Sequence, residues 1–222
     1  MNLGTIPWGS MKPRLLARAA LVCVALSLAG CALPDRPSRG TLYDFGPGAL
    51  APQATNRMAP LPPLALAEIE TDGVFEGTAV LYRLGYADAQ QLRPYAMSRW
   101  SVPPAQLVRQ RLREHLSQRR AVLNAGEGAA LARSGGTAPL VLRVELNEFS
   151  HWFASPTESS GLIRLRATVV EATAGGEKLL AQRSVVVQKP ASSADAPGGV
   201  RALAAATDAA AEEISQWLQQ VR

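Results

Sequence analysis

The chain has 222 residues, 47% of them hydrophobic, with 18 glycines, 16 prolines, two cysteines and two histidines. Its formal charge is +5, from 23 basic and 18 acidic side chains. Two cysteines are too few for a disulfide framework, and three of the basic residues fall in the first 18 positions, so the remainder is close to neutral and does not read as a nucleic-acid binder.

The first segment reads as an export signal. Lys12, Arg14 and Arg18 precede an apolar run from Ala19 to Ala29, and no acid occurs before Asp35. The run is shorter than the ~20 residues that span a bilayer, so a secretory leader is expected rather than a membrane helix. Met11-Lys12-Pro13-Arg14 is itself a complete basic lead-in, so translation can begin at Met1 or at Met11. The run ends in Leu28-Ala29-Gly30-Cys31, which resembles the bacterial lipobox. Small side chains there let a peptidase reach the backbone, and the Cys31 thiol takes the lipid. Residues 1–30 are therefore expected to be removed and Cys31 to carry acyl chains, each contributing ~0.8 kcal/mol per buried CH₂. The rival reading is a buried thiol, or a Cys23–Cys31 disulfide, in an ordinary membrane helix; the short span and the missing C-terminal flank argue against it. Ala32 stands where, by resemblance to enterobacterial lipoprotein sorting, an aspartate would favour retention at the inner membrane, so the periplasmic leaflet of the outer membrane is expected. Apart from this covalent lipid, no cofactor is expected.

Residues 31–63 are rich in Pro, Gly, Ala and Ser and read as a lipidated tether, with a possible short strand at 41–45. Residues 64–222 read as one folded domain. Leu64 to Glu70, Thr78 to Arg83 and Gln91 to Met97 read as strands. Ser101-Val102-Pro103-Pro104 starts a helix that runs to about Arg120, with Ser101 as its cap. Leu107, Val108, Leu112 and Leu116 form one side of it, and Arg109, Arg113 and Arg120 cluster on the other. Ala121 to Asn124 is a short strand. Gly126 to Gly136 reads as a loop with at most one helical turn at 129–131. Strands follow at 140–149, 161–172 and 178–188, the last two joined by the hairpin signal Ala174-Gly175-Gly176-Glu177. Ala191 to Gly199 reads as a loop. Val200, Leu203, Thr207, Ala210, Ile214, Trp217 and Val221 then repeat at alternating spacings of three and four, one apolar stripe of a helix that packs on its own sheet or on another copy. The order predicts an α+β fold: a single mixed or antiparallel sheet of about six to seven strands, with two main helices packed on one face.

Catalytic chemistry has little to stand on. His115 and His151 are the only histidines, neither near a Gly-x-Ser-x-Gly elbow. With Cys31 acylated, no His/Cys metal cluster can form. Gly126-Glu127-Gly128 lacks the Lys-Ser/Thr of a phosphate loop. Glu145 and Glu148, three apart on a strand, are expected on opposite faces. Arg109, Arg111, Arg113, Arg119 and Arg120 read as a solvated helix face, or as a contact for lipid headgroups or an acidic partner.

One stretch carries more. VLYRLGYADAQQLRPYAMSRWSVPPAQLVRQRLREHL, Val80 to Leu116, resembles the ABC-type transport auxiliary lipoproteins, most sharply in Arg99-Trp100 followed by Pro103-Pro104. Thr41 to Phe45 and Leu142 to Phe153 resemble that family's opening and central strand, and the likeness extends over about 41–218. Ser101-Val102 departs from the small and acidic residues expected there. The resemblance implies a non-catalytic accessory subunit. Its partners would be an MCE-domain protein and, through it, an ABC permease and ATPase, moving phospholipid or another hydrophobic molecule between the two membranes. A homo-oligomer is conceivable by analogy with MCE rings. Arg99, Trp100, Arg109, Arg113 and Arg120 are the candidate contacts for a partner or for headgroups; for Arg99 and Trp100 the alternative is an indole packed under the helix start. The rival functions are an outer-membrane lipoprotein regulating a cell-wall enzyme and, more remotely, a hydrolase using a histidine.

Overall fold

The apolar residues that alternate along the strands line one side of a long, mixed sheet, and two helices close over them. A computed structural model of the chain describes residues 40–48, 61–134 and 136–221, all within the compact unit Gly40–Arg222. The leader, the lipobox with Cys31 and the tether residues 32–39 and 49–60 lie outside the described residues.

Among the described residues eight strands and three helices follow one another. They are β1 (Thr41–Tyr43), β2 (Leu64–Thr71), β3 (Ala79–Leu84), β4 (Asp88–Trp100), α1 (Pro104–Ser117), β5 (Val122–Asn124), α2 (Ala125–Arg133), β6 (Leu140–Phe153), β7 (Ser159–Thr173), β8 (Gly176–Pro190) and α3 (Ala196–Leu218). The predicted α+β architecture is present, with one strand more than the upper expectation. β6 organises the sheet. Along one edge it pairs antiparallel with β7 over its whole length, and β7 continues into the β8 hairpin. Its other edge is shared: β2 runs parallel to Leu140–Leu146, and β3 runs parallel to His151–Phe153. Short β5 extends β2, β4 extends β3, and β1 closes that side in parallel with β4.

The core lies between one sheet face and helices α1 and α3. Leu64, Leu66, Leu142, Leu146, Ile163 and Leu165 meet Leu112, Leu116, Leu203 and Ile214, all at most 2% exposed. The predicted stripe of α3 is buried from Val200 to Trp217, against its own sheet and α1 rather than another copy; Val221 lies beyond the helix. Thr207, the stripe's one polar member, donates its hydroxyl to the Leu203 carbonyl at 2.8 Å.

Four local expectations change. Residues 125–133 form helix α2 where a loop was expected: the Asn124 amide donates to the Glu127 carboxylate at 2.6 Å, and the alanines that follow favour helix. Gly128 is what lets α2 lie down on β2, because a Cβ there would stand 3.2 Å from the Ala65 Cβ and 3.0 Å from Pro139. The final helix starts at Ala196, inside the expected loop, because Asp195 accepts the Gly198 amide at 2.8 Å. At the start of α1 it is Pro103, not Ser101, that takes the cap position; the Ser101 amide instead donates to the Tyr43 carbonyl at 2.8 Å. Finally, a bulge in β6 between Leu146 and Glu148 flips the alternation, so that Leu142, Val144 and Leu146 are followed inward by Phe149, His151 and Phe153. Glu145 and Glu148 consequently share a face, opposite Arg166 and Arg164 of β7.

Candidate functional site

β1 is the first described piece of the tether, and it is docked. Thr41, Leu42 and Tyr43 stand in register with Ser98, Arg99 and Trp100. Phe45 follows and inserts edge-on against Trp100 at 5.7 Å between ring centroids, with Phe149 at 6.2 Å. Trp100 is 1% exposed and therefore serves the core; its indole reaches no surface. Arg99 turns back on its own strand, donating to the Tyr95 carbonyl at 2.7 Å and the Ser98 carbonyl at 2.9 Å.

The arginines of α1 and of the turn after it divide into three kinds. Arg109 donates to the Ala67 carbonyl and, at 2.8 Å, to the Asn124 side chain; Arg113 donates to the Val122 carbonyl at 2.8 Å and to the same Asn124 oxygen at 2.6 Å. These two stitch α1 to β2 and β5. Arg111 is buried: its guanidinium donates to the Phe45 carbonyl at 2.6 Å, lies 3.2 Å from Asp208 of α3, and sits 5.8 Å from the centre of the Phe45 ring. Sequence reasoning placed Arg111 in the solvated cluster and missed Asp208. The signal was available, because Arg111 falls four residues after Leu107 and beside Leu112, on the apolar side of the helix.

Arg119 and Arg120 form the third kind, beyond the end of α1. Arg119 donates one Nη to the Gln219 side chain at 3.2 Å, but its Nε is buried without an acceptor. Arg120 is half-buried and has no hydrogen-bond or ion-pair partner among the described residues. Burial first, and the neighbouring Arg119 charge second, lower its pKa. It lines a cleft of about 470 Å³ whose other walls include Leu61, Pro63, Leu140, Leu218 and Val221. A smaller hollow of about 230 Å³ beside it, under α2, shares Ala138 and Pro139.

Both histidines have internal partners. His115 lies 3.5 Å from Asp208. His151 is fully buried, shares a hydrogen bond with the Tyr95 hydroxyl at 2.8 Å through Nδ1, and leaves Nε2 unpartnered. Burial pushes its pKa down to about 4, against a smaller opposing pull from Asp195, and burial pushes the Tyr95 phenol well above its usual value. The imidazole is packed at 4.4 Å on Phe153 and lies under Gly199, inside the fold.

The face of the sheet opposite α1 and α3, which α2 covers at one end, carries cross-strand ion pairs. Arg83 meets Glu148 at 3.0 Å with both side chains largely buried, Arg166 meets Glu145 at 3.2 Å, and Arg143 meets Glu177 at 2.7 Å.

The family model of the ABC-type transport auxiliary lipoprotein component matches residues 43–215, from the docked β1 strand to the last turns of α3. The chain belongs to that family. As an auxiliary lipoprotein it is expected at a membrane of the cell envelope, in association with a transporter. No curated protein matches its sequence. Among solved structures, protein XCC0632 from Xanthomonas campestris is 17% identical, with 81% of this chain and 98% of that one covered and a TM-score of 0.63. A second, described as an uncharacterized protein, is 13% identical over 81% of this chain and 99% of that one, with a TM-score of 0.58. At these identities the likeness shows that the auxiliary lipoprotein shares their fold.

Proposed function

We propose that this auxiliary lipoprotein is a non-catalytic accessory subunit of an MCE-type ABC transport system that moves phospholipid or another hydrophobic molecule between the inner and outer membranes. The observation that carries the reading is the family match over 43–215 in a chain whose first 31 residues end in a lipobox. Lipid on Cys31 tethers the body to the periplasmic leaflet of the outer membrane. The MCE-domain protein is the direct partner, and the permease and ATPase are reached through it. Arg109, Arg111 and Arg113 are engaged by other parts of the fold, which favours the sheet face opposite α1 and α3 over α1 as the docking surface. The internal roles of His115 and His151 support a part played without catalysis.

The test is co-purification from membranes that also hold an MCE protein. Recovery of that protein with the full-length lipoprotein is expected, and recovery of the lipoprotein alone, repeatedly, would end the reading. Intact-mass analysis of the native protein should show Cys31 as the acylated first residue; a bare thiol behind an uncut leader would remove the anchor. Light scattering on the purified protein measures whether copies associate.

A further inference from the structure

The cleft at the end of the sheet is built from three separated pieces of chain: Leu61 to Leu64 leading into β2, Thr137 to Leu140 leading into β6, and Leu218 to Val221 at the end of α3. Its walls are mainly aliphatic, and its size falls in the range of roughly 300–1,000 Å³ typical of small-molecule sites. One arginine stands at it with its donors unanswered: Arg120 lines the cleft and has no partner among the described residues. Glu171, the one carboxylate in the lining, already has a cation, Lys178, 3.9 Å away. The lip of the cleft is therefore positive and the walls are greasy.

That combination selects among ligands. A neutral apolar molecule would leave the Arg120 guanidinium unanswered in a half-buried place. A free anion would leave the aliphatic walls bare. An amphiphile answers both, because the fork of an arginine matches the oxygens of a phosphate or carboxylate while a hydrocarbon tail covers the walls. We propose that this cleft binds a single acyl chain of an anionic lipid, with Arg120 receiving its headgroup. The body would then hold a lipid directly as well as dock a partner. The inference rests on the proposed function only for the origin of the lipid; partner recovery and lipid labelling are read separately, so one can fail without the other.

The experiment uses the full-length lipoprotein in phosphatidylcholine nanodiscs. The probes are palmitate bearing a photoreactive diazirine on its chain and the same chain ending in a primary alcohol. After irradiation, adducts are mapped by peptide mass spectrometry. Palmitate is expected to label the peptides holding 61–64, 137–140 and 218–221, and the alcohol to label them roughly tenfold less, the equivalent of ~1.4 kcal/mol. Arg120→Gln should bring palmitate labelling down by a similar factor with the melting temperature unchanged, and Leu140→Trp should block the cleft. Excess inorganic phosphate should not displace the probe. Adducts scattered without preference, equal labelling by the alcohol, an Arg120→Gln protein that labels like the parent, or displacement by phosphate alone would each overturn the assignment.

Discussion

The guanidinium of Arg111 donates to the carbonyl of Phe45 at 2.6 Å, and through it the first described strand is tied to the helical layer. The same group reaches Asp208, so one buried side chain joins β1's continuation, α1 and α3. Arg111→Leu should therefore destabilise the protein by ~3 kcal/mol, because the Phe45 carbonyl and Asp208 lose their shared cation. Asp208→Asn should cost under ~1 kcal/mol, since that carboxylate is 44% exposed. Urea unfolding measures both. Hydrogen exchange at the Ser101 amide, which donates to Tyr43, should quicken only in the arginine variant.

His151 sets a pH dependence whose sign follows from its burial. Its pKa is about 4 in the folded protein against 6.5 for the free group. Between those values the unfolded chain takes up a proton that the native protein refuses. The stability from keeping this imidazole neutral is complete above pH 6.5 and is lost as pH falls toward 4, by up to ~3 kcal/mol. Urea midpoints from pH 7.5 to 4.5 should fall accordingly, and His151→Leu should flatten that slope; an unchanged slope in the variant would assign it to the carboxylates instead.

Two glycines in helices should respond to alanine with opposite signs. A Cβ at Gly199 would stand 2.4 Å from the His151 ring, a clash that outweighs the gain in helix propensity, so Gly199→Ala should destabilise by ~2 kcal/mol. A Cβ at Gly126 meets nothing within 4 Å, so Gly126→Ala should stabilise by about 0.5–1 kcal/mol. Thermal melts of the two variants decide both.

The ion pairs of the sheet face opposite α1 and α3 should not be equal. Arg83 and Glu148 are 17% and 14% exposed, and Arg83 also donates to the Ala89 and Gln90 carbonyls. Glu148→Leu leaves that cation without its carboxylate in a partly buried place and should cost ~2 kcal/mol. Glu177→Gln, at a pair nearly half exposed on both sides, should cost under ~0.5 kcal/mol. A double-mutant cycle at each pair separates the coupling from the single losses.

Local chemistry made much of this protein legible in its sequence. The long strands, the first and last helices, the β7–β8 hairpin and the apolar stripe of α3 are written in periodicities of two and of three to four, which survive folding because each element buries one face. The family motif from Val80 to Leu116 was readable for the same reason: it records strand, turn and helix start in order. Tertiary structure decided the rest. Whether an arginine on α1 meets water or a carbonyl depends on which strand lies beside it, and periodicity cannot say that β5 passes under Arg109 and Arg113 or that Phe45 returns to Arg111. A single inserted residue in β6 put Glu145 and Glu148 on one face, and a bulge leaves no mark in composition. The cleft beside Arg120 exists only because segments near residues 61, 139 and 220 converge, and side chains that far apart in the chain share a solvent environment only once the sheet and α3 have brought them together.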